Sequence, residues 1–170
     1  MRNSVQWAAV APPIVVSDQE SIADLVHMTI EAHELTVTDD GGFRRPGIQG
    51  NPDELKKLME KLSSPIHTVF DMVYGQTPAQ RYGFMDLFDQ ISRFAEMLAK
   101  DHLFGDGNKR TAVRVSIALL YAHGVVLDVD DSPNPERNGI YQWIQQLVEG
   151  KKDYKEIASL LRDNARSEDE

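Results

Sequence analysis

Apolar residues recur at helical spacing through most of this chain, and short runs of turn chemistry separate the stripes. The first stripe is Ile22, Leu25, Val26 and Ile30. Ser17 with Glu20 three positions on makes a capping box ahead of it, so a helix is expected over 22–33. The pattern then changes: Thr36, Val37 and Thr38 lead into Asp40-Gly41-Gly42 and Phe43-Arg44-Arg45, closing at Pro46-Gly47, which predicts a short β-hairpin flap. Asn51, Pro52 and Glu54 open a second helix with Leu55, Leu58, Met59 and Leu62 as its buried face. Pro65 is expected to restart a helix that runs through Tyr74.

Thr77, Pro78 and Gln80 repeat the opening signal. Phe84, Leu87, Phe88, Ile91, Phe94, Ala95 and Leu98 keep one stripe from there, predicting the longest helix of the chain, ending near Asp101. Residues 112–121 are apolar on nearly every side except at Arg114 and Ser116, as in a helix enclosed by its neighbours, and His123-Gly124 ends them. Two further helices are expected, one over 140–148 stopped by Gly150 and one opened by Asp153 with Glu156. Residues 125–131 read as a connecting loop or a brief strand. The segment before Ser17 and the end of the chain offer little to pack against and are expected to fray. The result is an all-α fold with a short hairpin: an arm over 1–16, one helical domain over 17–165 and an acidic tail over 166–170.

Composition narrows the function more than the fold. At 170 residues, 41% hydrophobic and 26% charged, the chain suits a single core. No apolar run approaches the roughly 20 residues that span a bilayer, and the patch at 7–10 is cut by Pro12 and Pro13 before it could serve as a signal core, so a cytoplasmic protein with no membrane partner is expected. The absence of cysteine excludes disulfides and thiolate metal sites and agrees with a reducing compartment. A formal charge of -9 argues against broad electrostatic binding to nucleic acid.

The chemistry concentrates in one run, HLFGDGNKRTA at 102–112. A helix ends before it and a buried helix starts near Asn108, so the glycine turn Gly105-Asp106-Gly107 faces a helix N-terminus. Unpaired N–H groups and the positive end of the helix dipole make that junction an anion cradle, and glycine lets phosphate oxygens approach the backbone. Arg110 suits a bidentate grip on phosphate and Lys109 a mobile point charge. Asp106 is the candidate magnesium ligand, since Mg2+ needs only one or two protein carboxylates beside phosphates. His102, four residues past Leu98, extends the apolar stripe and should reach the mouth of the cradle partly shielded, where a neutral imidazole accepts a hydroxyl proton. Singly, each residue has an ordinary explanation: a histidine at a helix end, a glycine C-cap, a solvated basic pair. Their combination at this spacing is what points to phosphate chemistry.

This run resembles the Fic/Doc motif HxFx(D/E)GN(G/K)R, with His102, Phe104, Asp106, Gly107, Asn108, Lys109 and Arg110 in order. It is not a Walker A loop, because Gly-Lys-Ser/Thr is absent and a helix leads into the glycines. The resemblance extends more weakly over 17–163. Lys109 in place of the glycine of typical Fic adenylyltransferases, and Val113 in place of their second arginine, look like the Doc branch. That resemblance implies a kinase: the lysine displaces the α-phosphate, ATP binds reversed, and its γ-phosphate passes to a protein Ser or Thr hydroxyl. It further implies a toxin acting on translation through elongation factor Tu and restrained by an antitoxin in trans, with Gly42, Phe43, Arg44, Arg45, Pro46 and Gly47 of the flap aligning the target segment. Gly107, where the best-known Doc sequence has alanine, keeps AMP transfer open. A non-catalytic binding module built on the same fold is the other alternative. The internal inhibitory pattern (S/T)xxxE(G/N) of many Fic proteins has no copy, since Gln145 stands where the hydroxyl residue belongs ahead of Glu149-Gly150. His27, His33, His67 and His123 are assigned no function.

Overall fold

The computed structural model describes residues 6–38, 52–104 and 107–169. Its first element is α1 (Trp7–Val10), and residues 7–16 of the segment expected to fray are tied down. The Trp7 ring meets Phe88 edge-on at 5.0 Å, and the Ala11 carbonyl accepts from the Leu87 N–H at 2.9 Å. The buried Gln90 side chain accepts from the Ile14 N–H at 2.6 Å and donates to the carbonyls of Ile14 and Val69 at 2.7 and 2.9 Å. Val16 then pairs with Asp71 in a parallel bridge. A buried amide that satisfies three backbone groups needs no local stripe, which is why the apolar pattern did not reveal the docking.

Asp18, one residue later than the expected cap, starts α2 (Gln19–Thr38). Its carboxylate accepts from the Ser21 N–H at 2.7 Å and the Ser21 hydroxyl at 2.9 Å, and these bonds hold its pKa below the ordinary aspartate value. The helix continues through 36–38, so the first strand of the expected hairpin is helical. Thr36 is buried, and its hydroxyl donates to the Ala32 carbonyl at 2.8 Å, which satisfies it inside the helix. The remainder of the expected flap, with Gly42, Phe43, Arg44, Arg45, Pro46 and Gly47, lies outside the described residues, as does the expected cap Asn51.

The next helix, α3 (Pro52–Phe70), passes through Pro65 instead of restarting there, and it stops short of Tyr74. An interior proline costs about 3 kcal/mol. Leu58, Leu62, Ile66, Val69 and Phe70 are all buried on one face, each worth roughly 1.5–3 kcal/mol, and outweigh it. Val73 and Gln76 then exchange two backbone hydrogen bonds of 3.0 Å around Tyr74 (φ 50) and Gly75 (φ 73), a tight turn that ends the helical path.

The expected longest helix is two helices, and α2 is longer than either. Thr77 and Gln80 form the predicted capping box on α4 (Pro78–Tyr82), which Gly83 closes at φ 71. Asp86 then caps α5 (Leu87–Lys100), accepting from the N–H groups of Phe88 and Asp89. Arg162 completes that corner by donating to Asp86 at 2.8 and 3.0 Å and to Asp89 at 3.2 Å. The core centres on α5, whose Leu87, Phe88, Ile91, Phe94 and Leu98 are almost fully buried.

Around α5 pack α3, α6 (Asn108–Ala122), α7 (Gly139–Val148) and α8 (Tyr154–Asp163), the last three close to their expected bounds. The end of the chain does not fray at 166–167. Strand β1 (Val125–Leu127) pairs antiparallel with β2 (Ala165–Ser167), Val126 opposite Arg166. The described residues are thus mostly helical with one two-stranded sheet, the all-α class expected. None of their helices is long and apolar enough to cross a membrane.

Candidate active site

The 102–112 run joins α5 to α6. Helix α5 closes when the Asp101 N–H donates to the Met97 carbonyl at 3.0 Å, and His102 follows with φ 50. Position C′ of a helix often takes this left-handed geometry, but usually with glycine. His102 therefore leaves the helix stripe it was expected to prolong, and its side chain is exposed instead of partly shielded.

Two residues on, Phe104 turns back into the molecule. Its N–H donates to the Asn108 Oδ1 at 3.1 Å, and its ring stacks on His33 of α2 at 4.1 Å with planes 14° apart. His33 is buried, and its Nδ1 lies 3.2 Å from the Thr111 hydroxyl in a second hydrogen bond. Gly105 and Asp106 lie outside the described residues. Gly107 adopts φ 76, ψ 13, and its carbonyl accepts from the Thr111 N–H at 2.9 Å, starting α6 at Asn108 as expected. An L side chain is strained in that conformation, and Gly107 has none with which to cap the first turn.

Lys109 and Arg110 diverge. The Lys109 ammonium donates to the Gln145 Oε1 and sits 5.7 Å from the centre of the Tyr141 ring, both on α7. Gln145 in turn donates to Glu149 at 2.6 Å, and Lys151 pairs with the same carboxylate at 2.7 Å. The Lys151 bond first, then that from Gln145, holds the Glu149 carboxyl below the usual glutamate range. Arg110 is half-buried and borders a groove of about 840 Å³ between α2 and α6, with Leu35, Arg114, Tyr121 and Asn138 among its other walls. Val113 is buried and places no second cation there.

His102 thus lies on the connection after α5, Gly107 stands at the N-cap of α6, and Asn108, Lys109 and Arg110 form the first turn of that helix. Sequence reasoning missed His33 and the grip of α7 on Lys109. The first had a signal, since His33 continues the α2 stripe three residues after Ile30. The second joins residues 36 positions apart and had none.

The family model for the Fic/DOC family matches residues 18–120, more than half of the chain, from the start of α2 through most of α6. No curated protein and no solved structure matches the chain. The chain therefore belongs to the Fic/DOC family, whose members are generally transferases that modify proteins.

Proposed function

We propose that this protein transfers the γ-phosphate of ATP to a Ser or Thr hydroxyl of a target protein, as a Doc-type toxin that inhibits translation. Elongation factor Tu is the target we propose, and an antitoxin in trans the restraint. The observation that carries the reading is an exposed histidine in a left-handed conformation five residues before the glycine N-cap of α6, with Arg110 in the first turn of that helix.

In this reading His102 takes the proton of the incoming hydroxyl as its oxygen bonds to the γ-phosphorus, and ADP leaves with the electrons of the broken P–O bond. Gly105 and Gly107 let the phosphates approach the backbone, while Asn108, Lys109 and Arg110 stabilise charge on the transferring group. Asp106 would hold Mg2+. A single carboxylate beside a helix start is sufficient chemistry for that ion, which supplies charge neutralisation on the phosphates. The flap residues 42–47 would align the target as an extended segment.

One observation favours a second reading, AMP transfer. Lys109 is engaged by Gln145 and Tyr141 on α7, so the side chain proposed to displace the α-phosphate is drawn toward another helix. Intact-mass analysis after incubation with Mg2+, ATP and elongation factor Tu separates the two. A phosphate-sized increment on the target is expected, an AMP-sized increment replaces the proposal with its rival, and toxicity that survives His102→Ala leaves only a binding module.

A further inference from the structure

We propose that His33 is a positioning residue for the transfer loop, registering it against α2, the helix that leads directly into the proposed target-aligning segment. The inference rests on the transferase reading of the 102–110 run and goes beyond it, because nothing in that motif extends to residue 33.

His33 makes two contacts of different chemistry with the run. Its ring plane lies on Phe104, and its Nδ1 meets the hydroxyl of Thr111, one turn into α6. Phe104 is therefore held from two sides, by the His33 ring and by the Asn108 side chain on its N–H. It lies two residues after His102 and three before Gly107, so fixing Phe104 fixes the midpoint of the loop. His102, exposed and in a left-handed conformation, needs such an anchor to keep its ring at a defined place.

The two contacts also explain why the residue is histidine. Phenylalanine would keep the stack and lose the bond to Thr111, glutamine would keep a hydrogen bond and lose the stack, and leucine would fill the space and make neither. His33 is buried, as Thr111 is, so the pair is shielded from water that could substitute for either partner. On the far side, α2 ends five residues later at Thr38 and the chain enters 39–51. One side chain thus ties the base-bearing loop to the helix carrying the proposed target segment.

The test compares His33→Leu with His33→Phe in the full chain. For His33→Leu, kcat of transfer should fall about tenfold or more with KM for ATP held within about twofold, because misplacing the base harms the chemical step more than nucleotide binding. His33→Phe should recover most of that loss. Loss of activity that merely follows thermal stability, with no recovery in His33→Phe, overturns the proposal, and so does an unchanged kcat in His33→Leu. Amide hydrogen exchange separates this failure from that of the transferase reading. Whatever group is transferred, exchange at 102–104 should quicken in His33→Leu while α5 core amides keep their protection; unchanged exchange at 102–104 overturns the anchor. Thr111→Val, which deletes one hydroxyl and preserves shape, should quicken the same amides by a smaller factor, and serves if His33→Leu does not fold.

Discussion

His102 is where local stability and the proposed chemistry oppose each other. A β-carbon at φ 50 costs about 1 kcal/mol that glycine avoids. His102→Gly should therefore raise the melting temperature by about 2–4 °C while abolishing transfer. His102→Ala should abolish transfer with little change in stability, as calorimetry beside the transfer assay would show. A lower melting temperature in His102→Gly would mean that the ring makes stabilising contacts. At this scale the sequence was most legible where residue type and backbone agree. Gly107 reads as a turn glycine and stands at φ 76, and Asn108 reads as the helix start and begins α6. The burial of His33 was legible from its place on the α2 stripe, but its partners were not, since they lie 71 and 78 positions away.

Among elements, corners decide more than stripes. Asp86 caps α5 and accepts from Arg162 of α8 while itself 3% exposed. Asp86→Ala removes the cap and two of the three bonds to Arg162, leaving the one to Asp89, and should destabilise by about 2–3 kcal/mol in urea or guanidinium unfolding. The Arg81 side chain, by contrast, donates to two backbone carbonyls near the surface, and Arg81→Ala should cost only about 1 kcal/mol. Gln145 on α7 supports a functional prediction. If Lys109 belongs with the phosphates, Gln145→Ala should release it and lower KM for ATP about threefold, a change on the scale of one net hydrogen bond. A raised KM would instead show that α7 holds Lys109 where the nucleotide needs it. Capping signals at Thr77 and Asp153 were readable from sequence because both partners lie within four residues. The break between α4 and α5 was read through, since the stripe that begins at Phe84 follows the Thr77 cap so closely that one helix was expected, and the passage of α3 through Pro65 was not legible, because it depends on burial against distant helices.

For the molecule as a whole, the ends of the chain close the structure. Strand β2 covers β1, whose Val125 is 1% exposed, through three residue pairs. A chain ending at Asn164 should lose about 1–3 kcal/mol by chemical denaturation, the sum expected of three cross-strand pairs. The all-α class and the order of helices were legible because helical periodicity is local. The docking of the first and last segments was not, because a single Gln90 side chain and a three-residue strand carry no periodic signal. Trp7, edge-on to Phe88 and 8% exposed, has a practical consequence. The chain contains two indoles, at Trp7 and Trp143. A Trp143→Phe variant would therefore carry a single fluorophore seated at the N-terminal junction, and its emission colour would report, in real time and without any label, when that segment lifts from α5.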